Sequence, residues 1–229
     1  MVKRGISRQL GVPVKQKQPI TPAILRKIHV LLDLSKPSDL AFWAAVVVGF
    51  LGFLRKSSLL PGSAVLDPSK NLVRADVTEM CVDSFVLLMR HSKVIQFGEK
   101  VHAIPFVRCE EFSLCPVRSV LSHFGASPLG PRRPLFNFLV ASKEVALTQE
   151  SFVRRLKGLL KDAGLKAGEY SAHSLRRGGA SYAFQLGLSP LQIKLRGDWS
   201  SDAYEQYIFI AAGASMSVAQ SLSSRIGGF

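Results

Sequence analysis

The 229 residues suffice for one domain of ordinary size, or one domain plus an arm, with a substantial core and no need of disulfides. Thirty Lys and Arg stand against sixteen Asp and Glu, giving a formal charge of +14 and a pI near 10.1 in a chain that is 47% hydrophobic. Such a chain folds and also seeks polyanions, because each phosphate neutralised by Lys or Arg releases condensed counterions. Nucleic acid is the first partner to suspect, although a basic ribosomal or membrane-surface protein would carry a similar charge.

The cysteines Cys81, Cys109 and Cys115 are odd in number and form no CxxC pair, so neither a disulfide framework nor a zinc site is signalled, and a reduced, intracellular setting fits best. Cys109, Cys115 and His123 can be drawn as metal ligands, but small buried hydrophobes account for them better, so no metal and no cofactor is expected. Residues 40–54 make an uncharged run of fifteen, short of the roughly 18 that a membrane span needs. Residues 1–20 carry Lys3, Arg4, Arg8, Lys15 and Lys17 without an apolar block, so no cleavable signal is read there. Residues 1–19 are taken as a basic arm or linker, and residues 20–229 as a single domain.

Thr21 followed by Pro22 is a cap and then a ring that needs no amide hydrogen, and Ile24, Leu25, Ile28, Leu31 and Leu32 follow at helical spacing. A second helix is predicted from Ser38 to about Arg55, apolar nearly all round and hence interior. Across residues 64–106, short runs of Val, Phe, Leu and Ile are separated by Asp67-Pro68, Asp83-Ser84 and Gly98-Glu99-Lys100, the pattern of a small antiparallel sheet with Lys93 near a strand end or turn. Pro116 opens a short helix, a Pro/Gly-rich link covers residues 127–134, and the apolar residues 135–140 read as a loop or lone strand. Helices follow from Thr148 to Gly164, from Ser171, from Ser189-Pro190 and after Ser200. The fold class is therefore mixed, mainly α with a small antiparallel β-sheet.

The segment Ser-Ala-His-Ser-Leu-Arg-Arg-Gly-Gly-Ala-Ser, residues 171–181, places His173 and Arg176 three apart at the start of a predicted helix, on one face. An imidazole and a guanidinium projecting at a helix N-terminus make a phosphate site, and Gly178-Gly179 allows close approach of backbone or DNA. Alone, this pair is weak and is more often a solvated Arg beside a satisfied His. Further residues narrow the choice: Arg196-Gly197-Asp198-Trp199 with Tyr204 and Tyr207-Ile208 downstream, Gly52-Phe53-Leu54-Arg55 upstream, and Arg90-His91-Ser92-Lys93 between.

In that order and spacing the set resembles the catalytic domain of the tyrosine recombinase (phage integrase) family, over most of the chain from about Pro19 to Ile210, with the flavour of eukaryotic mobile-element (DIRS/Crypton-like) members. The resemblance implies a DNA breaking-rejoining fold. It further implies double-stranded DNA as partner, site-specific recombination and DNA integration through a 3′-phosphotyrosine intermediate, and a homo-tetramer on two duplexes. Arg55 and Arg176 would hold the scissile phosphate, Lys93 would protonate the leaving 5′ oxygen, His173 would assist proton transfer at Tyr207, Trp199 would donate its indole N–H to a phosphate oxygen, and Tyr207 would attack phosphorus. Residues 4–11 would then be a remnant of a DNA-clamping domain, and 211–229 a segment able to dock on a neighbouring subunit. The compartment would be nuclear in a eukaryotic host.

Each residue has a plainer reading. Arg55 could cap the apolar helix before it, Lys93 could be a hairpin-edge lysine with Arg90 and His91 as competing bases, and Trp199 could be core. Tyr204 lies one turn from Tyr207 and competes for the nucleophile's role. Ser58 stands where the family commonly has an acidic residue, and the interval from Trp199 to Tyr207 is slightly short. A catalytically silent, domesticated DNA-binding module is the alternative function, and a type IB topoisomerase a third.

Overall fold

The computed structural model describes residues 16–64, 67, 70–90, 101–199 and 201–208. Helix α1 (Pro22–Val30) starts where the sequence predicts, with the Thr21 hydroxyl accepting the Ile24 amide at 3.3 Å and Pro22 in the first turn. It buries Leu25 and Ile28.

Helix α2 (Pro37–Leu51) is the axis of the domain: every residue from 41 to 50 is buried, and the helix packs on two later helices, Pro116–Ala126 and His173–Gln185. It stops at Leu51, four residues short of the expected Arg55. Phe53 takes a left-handed φ of 50° and its ring enters a second apolar cluster with Ala180, Ala183, Ile193, Trp199 and Tyr204. Burying that ring outweighs continued helix, a tertiary preference overriding a local one. The reading of Arg55 as cap of the long helix therefore fails: Arg55 lies beyond it, at the N-cap of the one-turn helix α3 (Lys56–Leu59).

After a 3₁₀ turn (Arg74–Asp76) come β1 (Val77–Thr78), β2 (Ser84–Met89) and β3 (His102–Val107), an antiparallel sheet in that order. Phe85 pairs with Phe106, Leu87 with Ile104 and Met89 with His102. All but His102 of these are buried, the alternation expected of a sheet with one face on the core. Lys93 falls in 91–100, between β2 and β3 and outside the described residues.

Helix α4 (Pro116–Ala126) leads to a hairpin, β4 (Phe138–Val140) and β5 (Lys143–Val145), where the sequence suggested a loop or lone strand. Its turn residues Ala141 and Ser142 have φ of 46° and 63°. Such turns normally draw Asn or Gly, so Ala-Ser carries no warning of one. Helix α5 (Gln149–Asp162) is capped by Thr148 as predicted. Helices α6 (His173–Gln185) and α7 (Pro190–Arg196, capped by Ser189) follow, and a 3₁₀ helix (Asp202–Tyr207) takes the place of the last α-helix. Mainly helical with small antiparallel sheets, the observed class is the expected one.

Residues 16–20 run extended beside α6. The Gln18 amide donates to the Glu169 carbonyl at 2.8 Å and the Ile20 amide to the Ser174 carbonyl at 2.9 Å. Gly178 allows this approach: a Cβ there would sit 1.8 Å from the Ile20 carbonyl oxygen.

Candidate active site

Arg176, in the first turn of α6, is 2% exposed and stands where the ends of three elements meet. Its Nη1 donates to the Phe53 carbonyl beyond α2, and its Nη2 to the Gly197 carbonyl beyond α7 at 2.9 Å. Its Nε is buried and has no partner among the described residues. The guanidinium carbon lies 3.7 Å from the centre of the Trp199 ring and 5.3 Å from that of Tyr207. Burial, and then the neighbouring charge of Arg55, lower its pKa to about 9, while Tyr207 and Asp198 act in the opposite direction. It stays charged at neutral pH, fixed by main-chain carbonyls that orient it without neutralising it.

Arg55 is half-buried and lines a cleft with Ser58, Met89, His102, Arg176 and Asp198. His173 occupies the first position of α6, two residues after Ser171, and is exposed. Partial desolvation lowers its pKa, and the cations Arg176, Arg55 and Lys56 lower it further. A neutral imidazole at pH 7 can accept a proton.

Trp199 is buried at 6% exposure, with Phe53 at 6.3 Å, Tyr204 at 6.3 Å and Tyr207 at 5.4 Å between ring centres. Its indole N–H is buried and has no hydrogen-bond partner among the described residues, an orphan donor in a ring that lies against Arg176. Gly197 lies so close under this ring that a Cβ would sit 1.8 Å from it. Tyr207 is half-buried at the end of the 3₁₀ helix and its carbonyl accepts from the Ser181 hydroxyl at 3.2 Å. Tyr204 is 6% exposed and belongs to the apolar cluster. The structure thus gathers Arg55, His173, Arg176, Trp199 and Tyr207 into one neighbourhood.

No family model matches the sequence. An integrase/recombinase XerD homolog of Selenomonas ruminantium is 30% identical over 197 residues, 82% of this chain and 52% of the relative. The chain therefore spans about half the length of the curated relative it matches. Among solved structures, the XerH site-specific recombinase in a post-cleavage complex with palindromic difH substrate superposes with a TM-score of 0.63 at 17% identity, over 89% of this chain and 53% of that one. The XerA recombinase gives 0.59 at 17% identity, over 91% and 65%. The chain is similar in sequence to an integrase/recombinase and has the catalytic-domain fold of the tyrosine recombinases.

Several contributors to this candidate site escape a reading of side-chain motifs. The carbonyls of Phe53 and Gly197 hold Arg176, and a carbonyl has no sequence signature. His102, Arg196 and Asp198 also line the cleft. Asp198 has a φ of 51°, and an Asp directly after Gly197 was the available hint of a turn there. A larger cavity of about 510 Å³ between α1, α2, β3 and α6 is apolar, lined by residues such as Leu25, Phe50, Phe106 and Tyr182, and does not contain Arg176 or Tyr207. Among the described residues there is no group of His, Cys, Asp and Glu that could hold a metal ion, and no helix long and apolar enough to cross a membrane.

Proposed function

We propose that this chain carries the strand-transfer chemistry of a site-specific DNA recombinase. The Tyr207 oxygen attacks a backbone phosphorus, forming a 3′-phosphotyrosine as the bond to the 5′ oxygen breaks. The phenolic proton passes to His173, and the leaving oxygen takes its proton from Lys93. Religation reverses the steps, so the energy of the broken bond is kept and no nucleotide cofactor is needed.

Phosphodiester transfer without a metal needs fixed positive charge at the non-bridging oxygens. Arg176 and Arg55 supply it here, and the orphan indole N–H of Trp199 gives a further donor beside them. The observation that carries the reading is the placement of the Tyr207 ring, 5.3 Å from a guanidinium that is buried and pre-oriented by carbonyls. Tyr204, the rival nucleophile, is enclosed by Trp199 and its neighbours. The net charge of +14 supplies the sequence-independent attraction to duplex DNA. The solved XerH neighbour is bound to its difH substrate. We extend to this chain the same partner, a tetramer on two duplexes, and the division into a basic arm over residues 1–19 and a catalytic domain from residue 20.

The test uses nicked duplexes enriched by the protein from a randomised pool. Wild type forms a denaturation-resistant protein–DNA adduct, Tyr207→Phe forms none, and Tyr204→Phe still forms it. An adduct that survives Tyr207→Phe and vanishes in Tyr204→Phe reverses the nucleophile assignment. Tight binding by wild type with no adduct on any enriched duplex identifies a binding module instead.

A further inference from the structure

The two carbonyls that grip Arg176 come from segments 144 residues apart, at Phe53 and Gly197, so the grip holds only if those segments keep their spacing. One side chain spans the same two segments. Arg196 ends α7, and its Nε donates to the carbonyl of Leu51, the last residue of α2, at 2.8 Å. Its Nη1 donates to the Pro105 carbonyl of β3 at 3.0 Å, and its guanidinium lies 5.1 Å from the centre of the Phe106 ring. Its own carbonyl lies 3.2 Å from His102 Nε2, which must be the donor because a carbonyl can only accept.

We infer that Arg196 is a positioning residue of the strand-transfer site. It ties the end of α2 to the 196–199 turn and to β3, and so fixes both carbonyls that orient Arg176 and the Trp199 ring that stacks on it. The inference rests on the strand-transfer reading given above.

The chemistry of the residue fits a strut. A guanidinium carries donors pointing in divergent directions and can hold two carbonyls on different elements, whereas an ammonium offers one point of attachment. Burial lowers the pKa of Arg196, so its charge is kept at a cost. An aliphatic side chain would pack against Phe106 without that cost, and would leave the Leu51 and Pro105 carbonyls without this donor. His102 completes the brace from β3, since the Arg196 carbonyl is among the last of α7 and has no helical partner among the described residues. Phosphoryl transfer is sensitive to such bracing, because a misplacement of about 1 Å can cost about 100-fold in rate.

Arg196→Met keeps the stem against Phe106 and removes the fork, and Arg196→Lys keeps only the charge. On the wild-type-enriched nicked duplexes, both variants are expected to bind DNA within about threefold of wild type and to form the adduct about 30- to 100-fold more slowly at saturation. In an Arg176→Ala background, Arg196→Met should add no more than about a twofold loss, since residues acting as a unit are not additive. A second readout needs no activity: with Trp43→Phe leaving Trp199 as the fluorophore, Arg196→Met should increase acrylamide quenching, and the control Arg155→Met should not.

Wild-type rates in Arg196→Met, an independent full loss in the Arg176→Ala background, or an unchanged shielding of Trp199 would overturn the inference. A salt-dependence slope of binding reduced by about one would also overturn it, by making Arg196 a direct phosphate ligand. Failure of wild type to form any adduct refutes the strand-transfer reading instead, while the quenching result still decides whether Arg196 braces the turn.

Discussion

Replacing Gly178 with Ala sets two physical arguments against each other with opposite signs. The residue lies inside α6, where Ala is preferred over Gly by about 1 kcal/mol, so helix propensity alone predicts stabilisation. The tertiary structure predicts the reverse: the new Cβ would lie 1.8 Å from the Ile20 oxygen, 2.8 Å from its carbonyl carbon and 3.1 Å from its nitrogen. Backbone cannot rotate out of the way as a side-chain tip can, so residues 16–20 must lift from α6. That exposes Ile20, now fully buried, at about 2–3 kcal/mol. It also breaks the Ile20 amide bond to Ser174 and the bond from Arg177 Nη1 to the Lys17 carbonyl at 3.0 Å, each worth about 1 kcal/mol. After the gain in propensity the net loss is about 3–4 kcal/mol, which for a chain of this length lowers Tm by about 6–16 °C. Thermal unfolding followed by circular dichroism measures it, with Gly158→Ala in α5 as control, because a Cβ there meets nothing within 4 Å and should be neutral or stabilising. If Gly178→Ala melts at or above wild type, the docking of residues 16–20 on α6 is refuted.

Two further predictions concern the interior. His123 is fully buried, its Nε2 donates to the Leu135 carbonyl at 3.0 Å, and burial followed by the charge of Arg74 lowers its pKa to about 4. An unfolded chain takes up this proton near pH 6.5, so the stability tied to the neutral imidazole is intact above that pH and falls by about 3 kcal/mol as pH drops towards 4. Urea midpoints measured across that window should show the fall in wild type and a shallower one in His123→Gln; parallel curves would contradict the assignment. Gly197→Ala would force the Trp199 ring away from its place under Arg176, and adduct formation should fall about 100-fold with DNA binding within about threefold. Undiminished adduct formation would mean that the stacked ring contributes nothing to the orientation of Arg176.

Much of the fold was legible because its signals are local. Thr21-Pro22, Thr148 and Ser189-Pro190 start helices through their own side chains, and the alternation of Phe85, Leu87 and Met89 marks a half-buried strand without reference to its partner. Tertiary effects were hidden. The early end of α2 depends on where the Phe53 ring finds cover, a fact that residues 50–56 do not contain. The turn at Ala141-Ser142 uses residue types that give no sign of a left-handed backbone. For the site, the family resemblance pointed to Arg55, Lys93, His173, Arg176, Trp199 and Tyr207; Lys93 lies outside the described residues, and the other five lie in one neighbourhood. What the sequence could not express was their support, since the groups that hold Arg176 are peptide carbonyls.

That choice of support bears on how the site would meet DNA. A carboxylate opposite Arg176 would hold it as firmly, but would form the charge-assisted pair that a phosphate must displace. Carbonyls fix the direction of the guanidinium while leaving its charge for an anion, and the apolar rings of Trp199 and Tyr207 keep the local dielectric low. The price is visible in the protein alone, where Arg176 and Arg55 lie close enough for their charges to oppose each other and the Trp199 N–H has no acceptor among the described residues. A phosphate that reached both groups would offset both defects at once. Binding of the anion should therefore raise the stability of the domain, and that gain should shrink when Trp199→Phe removes the orphan donor while keeping an aromatic ring on Arg176.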